Sequence, residues 1–303
     1  MTGPSAIATE SLSKRYGTTL ALDHLTLAVP VGEIFGYLGS NGAGKTTTIR
    51  LLLDLIRPTS GTIRVLGLDP RRDGRAVRRR VGYLPGELVL YERLTGAQLL
   101  SHFGHLRGGV NWTTVTGLAD RLDVDLHRPI RSLSKGNKQK IGLIQALMSE
   151  PELLVLDEPT SGLDPLMQQT VHEMLLEARR KGRTVFLSSH ILNEVERIAD
   201  RVGVLRTGRL VAIEDVDSLK HKAMRHVTAR FARPIPVNAF LRVPGVTDAV
   251  LRDRDLELNL AGPIDSLVKA LARFDVSDLQ IGEPDLEQIF LTFYAEQEPG
   301  RAA

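Results

Sequence analysis

The chain has 303 residues, 42% hydrophobic and 25% charged, with 39 Lys and Arg against 36 Asp and Glu. That is ordinary globular composition, long enough for one large core or a core plus a smaller appended domain, and it excludes disorder over most of the length. There is no cysteine, so disulfides, thiolate catalysis and Cys-type zinc sites are excluded, while the net charge of +3 and a pI near 9.2 reflect a small excess of basic residues and give no reason to expect direct contact with nucleic acid.

The N-terminal MTGPSAIATESLSKRYG has no apolar core of signal-peptide length. No window approaches the roughly 20 apolar residues of a membrane helix, so any membrane role is expected to be peripheral. VGEIFGYLG predicts a strand ending in a glycine turn at Gly39, and TTTIRLLLDLI predicts the helix after it, stopping at RPTSG, residues 57–61. Short strands are predicted in TIRVLG and VGYLP. Between them RRDGRAVRRR, residues 71–80, sets six arginines against one aspartate; without interleaved aromatic residues for base stacking it reads as a solvated helix face.

Helical periodicity occupies residues 94–148. His102 and His105 have i, i+3 spacing there, but no third metal ligand is near in sequence, and Trp112 reads as a packing residue. ELLVLDEP and TVFLSSH then return as short apolar strands separated by the helix DPLMQQTVHEMLLEARRKG. Such alternation predicts a parallel sheet covered on both faces. RVGVLRTGRLVAIED reads as two strands around Thr207-Gly208 and closes a first domain expected to span 1–216. Residues 217–303 change texture: strands in HVTARF, VTDAVLR, LELNL and VSDLQI mix with helices in PIDSLVKALARF and DLEQIFLTFYAEQ, which predicts a small α+β domain.

Residues 39–46, GSNGAGKT, fit G-x-x-x-x-G-K-[ST] between a predicted strand and helix. The glycines let backbone N–H groups wrap phosphates, Lys45 reaches the outer phosphate oxygens, and the Thr46 hydroxyl suits Mg²⁺. Gly39, Ser40, Asn41, Gly42, Ala43, Gly44, Lys45, Thr46 and Thr47 are therefore candidate nucleotide ligands. In LLVLDEP a buried strand delivers Asp157 and Glu158 at its carboxyl end, the first suited to Mg²⁺ and the second to orienting an attacking water. His190 closes a parallel apolar strand and points to the same crevice, where an imidazole can bond a γ-phosphate or the water beside it. A second glycine turn, Ser134-Lys135-Gly136 in SLSKGNKQK, also opens a helix and so also suits an anion.

The order of these elements resembles the nucleotide-binding subunit of ABC transporters over about residues 5–215. The matching elements are Tyr16, the loop 39–46, LSKGN at 133–137, LLVLDEP at 153–159, SGLD at 161–164 and His190. The resemblance implies an α/β P-loop ATPase with a mixed sheet core, a helical subdomain at about 90–150 and the C-terminal domain as an accessory. It implies ATP and Mg²⁺ as cofactors, Tyr16 as the aromatic that stacks on adenine, and hydrolysis in a head-to-tail dimer, here expected to be a homodimer. In that dimer Ser134 and Gly136 would serve the partner's ATP. It further implies a separate integral-membrane permease met through residues 91–105, and a peripheral place on the cytoplasmic face of the membrane. YLPGE, the lysine-containing signature and DLEQIFLTFY resemble the bacterial export branch that handles drugs, antibiotics and polysaccharides.

Two segments depart from the family. Lys135 and Asn137 replace the usual glycine and glutamine of the signature, and Gly86 stands where a side-chain oxygen commonly reaches Mg²⁺ and water, with Glu87 as the nearest substitute. The competing readings are a soluble ABC-type ATPase acting on nucleic acid or ribosomes, whose relatives carry two cassettes or long coiled coils, and a non-hydrolysing ATP-binding module, which has no need of Glu158 and His190.

Overall fold

The computed structural model describes residues 4–222, 224–236 and 238–282. The chain begins with a hairpin, β1 (Ser5–Tyr16) and β2 (Thr19–Pro30), turning through a left-handed Gly17. β3 (Ile34–Leu38) is buried at every residue, as a strand covered on both faces must be, and leads into α1 (Lys45–Leu52). The helix expected over TTTIRLLLDLI stops earlier than its apolar run. Asp54 adopts φ 56 and lets the Leu55 N–H close on Arg50 O at 2.9 Å, a stop in which aspartate takes the place of the usual glycine.

β4 (Ser60–Val65), α2 (Gly74–Arg80) and β5 (Val81–Leu84) follow. Only Val77 of α2 is buried, so most of the arginine run is the solvated face expected, while Arg80 pairs with Glu152 at 2.6 Å. The predicted helical region contains α3 (Gly96–Leu106), held by a Thr95–Gln98 capping box, α4 (Trp112–Arg121), capped by Asn111, and α5 (Lys135–Leu147), capped by Ser134. β6 (Leu153–Asp157) comes next, then α6 (Pro165–Arg180), with Asp164 at its N-cap and proline in its first turn. β7 (Thr184–Ser189), α7 (Leu192–Glu196), β8 (Arg201–Arg206) and β9 (Arg209–Asp215) complete the series.

Among the described residues these strands form two sheets. The larger has the order β5-β6-β7-β3-β8-β9 and is parallel from β5 to β8. Leu153, Leu154, Val155 and Leu156 of β6 are fully buried, each contributing about 1.5–3 kcal/mol relative to exposure. The Phe35 and Phe186 rings stack across adjacent strands at 5.9 Å. The smaller sheet, β2-β1-β4, is antiparallel; strand alternation alone predicts only a parallel sheet, whereas the resemblance implies a mixed sheet core.

The chain divides into two compact units between Ile213 and Glu214. The second contains α8 (Val216–Lys222), β10 (Met224–Phe231), α9 (Asn238–Leu241), β11 (Val246–Arg252), β12 (Asp255–Ala261), α10 (Asp265–Leu271) and β13 (Val276–Ile281). Its antiparallel sheet runs β11-β12-β10-β13. From β10 onward this is the split βαβ arrangement of ferredoxin-like domains, packed around Phe231, Phe240 and Phe274. The helix predicted in DLEQIFLTFYAEQ lies outside the described residues. No described helix is long and apolar enough to cross a membrane.

Candidate active site

The carboxyl ends of β3, β5, β6 and β7 open on one cavity of about 390 Å³, at the edge where parallel sheets collect ligands. Ser40, Asn41, Gly42, Gly44, Lys45, Thr46 and Thr47 line one side of it. Gly44 stands at φ 112, and a Cβ there would come within 2.7 Å of Ala21 O, so only glycine fits. Gly39 and Ala43 sit beneath the lining: Ala43 N–H donates to Ser40 O at 3.1 Å, and Gly39 O accepts from the Lys45 ammonium at 2.5 Å. Lys45 is buried, with Nζ also 3.3 Å from Ser40 O and 3.5 Å from Glu158 Oε1. The first turn of α1 carries no acidic residue. Its free N–H groups, its dipole and the ammonium thus all favour an anion at this end of the cavity.

Opposite stand the carboxylates. Asp157 is buried and held at both oxygens: Thr46 Oγ1 donates to Oδ2 at 2.8 Å and Ser188 Oγ donates to Oδ1 at 2.5 Å. Glu158 follows in the left-handed region at φ 53, which costs about 1–2 kcal/mol for a residue with a Cβ. Hydrogen bonds offset that cost. The Glu158 N–H donates to both Ser188 O and Ser188 Oγ at 3.2 Å, and Gln139 Nε2 donates to the carbonyls of Glu158 and Pro159 at 3.2 and 3.1 Å. The Glu158 carboxylate turns into the cavity, where Oε2 lies 2.6 Å from His190 Nδ1. An ionised carboxylate can only accept, so Nδ1 carries the proton.

Gly86 and Glu87 also line the cavity. A Cβ on Gly86 would lie 3.0 Å from Asp157 Oδ2, so any side chain there would press on that carboxylate. Tyr83, from β5, completes this wall. Burial, and secondarily the Asp157 charge, push its phenol above the usual tyrosine range, keeping it a neutral hydrogen-bonding group.

The cavity fits a magnesium nucleotide by its donor set. Thr46 and Asp157 offer hard oxygens, and among the described residues no group of three or more His, Asp and Glu could hold a metal alone. That composition suits Mg²⁺, which commonly takes one or two protein oxygens and completes its octahedron with phosphates and water.

Not every sequence-predicted residue gathers here. Tyr16 ends β1, 45% exposed, with Lys14 Nζ 4.8 Å from its ring centre. Ser134 is exposed at the start of α5, its hydroxyl accepting the Asn137 N–H at 3.2 Å. Gly136 packs so closely on the 161–164 loop that a Cβ would approach Gly162 O to 2.8 Å. None of the three lines the cavity.

Comparison with known proteins gives the family. The family model described as ABC transporter matches residues 22–161. A bacitracin transport ATP-binding protein of Enterococcus faecalis is 40% identical over 228 residues, 73% of each chain. The chain belongs to the ABC transporter ATP-binding proteins. A daunorubicin resistance ATP-binding protein of Streptomyces coeruleorubidus is 37% identical over 305 aligned residues and 95% of each chain, so that similarity extends through the second unit. A solved structure described as the ATP-binding subunit of an ABC transporter superposes with a TM-score of 0.66 at 32% identity, covering 71% of this chain and 92% of its own.

The protein is thus an ABC-type ATPase. Four polar residues of its cavity and surroundings were not singled out in the sequence: Tyr83 and Arg50 in the lining, and Ser188 and Gln139 behind the carboxylates. Ser188 left one signal, a polar residue near the end of an otherwise apolar strand. The other three left none.

Proposed function

We propose that this ABC ATPase energises export through a separate integral-membrane permease, working at the cytoplasmic face of the membrane as a homodimer that closes on ATP. The observation that carries the reading is the linked set Lys45–Glu158–His190 beside Thr46–Asp157 in a single cavity. The names of the bacitracin and daunorubicin relatives support a transport role for small compounds, without specifying this chain's substrate.

In this reading the loop N–H groups and Lys45 bind the β- and γ-phosphates. Bound Mg²⁺ supplies charge neutralisation on the phosphate oxygens. Thr46 and Asp157 would hold it, the Thr46 hydroxyl offering a lone pair while its O–H still donates to Asp157 Oδ2. Glu158 Oε1 accepts a hydrogen bond from the attacking water and aligns it with the γ-phosphorus, and His190 fixes the carboxylate from Oε2. Ser134 and Gly136 meet the γ-phosphate held by the partner subunit, so hydrolysis waits for closure. Tyr16 stacks on adenine.

The test is a pull-down with Glu158→Gln from detergent-solubilised host membranes in ATP and Mg²⁺. The variant should bind ATP, hydrolyse it slowly, dimerise, and carry a multi-span membrane protein in stoichiometric amount. Recovery of ribosomes or DNA-bound proteins in its place would move the ATPase to a soluble role.

A further inference from the structure

Ser188 sits in register with Asp157 on one side and Tyr37 on the other, fully buried near the end of β7. A buried hydroxyl among apolar strand residues is costly unless its hydrogen bonds are made. Here they are, and both involve the carboxylate pair. The hydroxyl proton goes to Asp157 Oδ1 at 2.5 Å, and a lone pair accepts the Glu158 N–H at 3.2 Å. One hydroxyl has one proton and two lone pairs, so it can satisfy both at once.

The rest of the surroundings give this brace its importance. Asp157 Oδ2 already receives the Thr46 hydroxyl at 2.8 Å. On the β5 side stands Gly86, with no side chain to steady the carboxylate. The carboxylate plane is therefore fixed by two hydroxyls, one from the phosphate loop and one from β7. Glu158 depends on the same serine, because its left-handed backbone is secured at the N–H by Ser188 alone.

We infer that Ser188 is a positioning residue that aims Asp157 at the Mg²⁺ site and sets the angle at which Glu158 enters the cavity. The inference rests on the metal role proposed above for Thr46 and Asp157. Partners that orient a metal ligand typically matter 10- to 100-fold in metal affinity, so the effect belongs on Mg²⁺ dependence and not on nucleotide affinity itself.

The experiment compares full-length Ser188→Ala, Ser188→Thr, Ser188→Cys and Ser189→Ala. Ser189 is the control, because its hydroxyl bonds only the Ile191 backbone, at 3.3 and 2.9 Å. Two quantities are read: the Mg²⁺ concentration for half-maximal ATPase, and Mn²⁺ uptake by the ATP complex of each variant in a Glu158→Gln background, followed by electron paramagnetic resonance. Ser188→Ala should shift both by about 10- to 100-fold while ATP affinity in EDTA changes by less than about twofold. Threonine keeps the hydroxyl and should restore both values, and Ser189→Ala should leave them unchanged. A Ser188→Ala protein with both values within about twofold of the parent overturns the inference. Should the alanine variant not fold, the cysteine variant decides: its thiol is a weak donor, so it should need more Mg²⁺ than the threonine variant, and equal requirements overturn the assignment. If the unsubstituted protein hydrolyses ATP as fast in EDTA as in Mg²⁺, the metal role proposed above falls first and this inference with it.

Discussion

The turns at 39–46 and 133–137 look alike locally and differ in almost everything around them. Both contain glycine, both open a helix without an acidic first turn, and both carry lysine. The first lies at the end of a buried strand, and its lysine is 6% exposed and aimed at a carboxylate. The second caps itself with Ser134, leaves Ser134 and Lys135 exposed, and packs Gly136 against its own 161–164 loop. A helix N-terminus thus supplies the same anion preference in both places, but only the first stands where parallel strands deliver the groups that would use the anion. The helix that the second opens does reach the cavity's carboxylate edge from behind: Gln139, one turn along α5, donates to the carbonyl of Glu158.

The sharpest way to break the comparison is Lys45→Ala. Removing a buried cation that faces phosphate should weaken ATP binding by about 100-fold or more, about 3 kcal/mol. Titration with a fluorescent nucleotide checks this, and retained affinity would remove the loop at 39–46 from the binding site.

Gly136→Ala attacks the other turn. The new methyl would come within 2.8 Å of Gly162 O, so the turn or the 161–164 loop must shift, while the phosphate loop at 39–46 is not in contact with the added methyl. ATP affinity should stay within about twofold, whereas hydrolysis should fall by about 10²-fold, the scale of losing an oxyanion donor. Binding and single-turnover measurements on the same preparation separate the two. An equal loss in both would mean that the second turn serves its own subunit's nucleotide.

Much of this organisation was legible because it rests on short-range patterns. Glycine spacing marks a turn, apolar runs mark buried strands, and the acid pair after LLVL marks a carboxyl edge. VTDAVLR and VSDLQI coincide with β11 and β13. What stayed hidden depends on tertiary neighbours. In the β2-β1-β4 sheet β1 pairs with β4 from about 50 residues away, and both pairings have bulged registers that blur the alternation of buried and exposed positions. Asp54 ends α1 in a conformation that sequence assigns to glycine. Gln139 sits between two lysines on a helix, and nothing in that triplet tells that its amide reaches the carbonyls of residues 158 and 159.

The smallest expected effect concerns the cavity's β5 wall. A side chain at residue 86 would crowd Asp157, whereas Glu87 lines the cavity and is exposed. An exposed carboxylate remains well solvated and screened, and its interaction with a cation through water is weak. Glu87→Ala should therefore raise the Mg²⁺ requirement of the ATPase by only about two- to fivefold, with maximal rate nearly kept. A Mg²⁺ titration of activity measures this directly. No shift at all would show that Asp157 and Thr46 suffice once Ser188 holds the aspartate, and a loss of about 100-fold would make Glu87 a principal metal ligand in place of the side chain missing at Gly86.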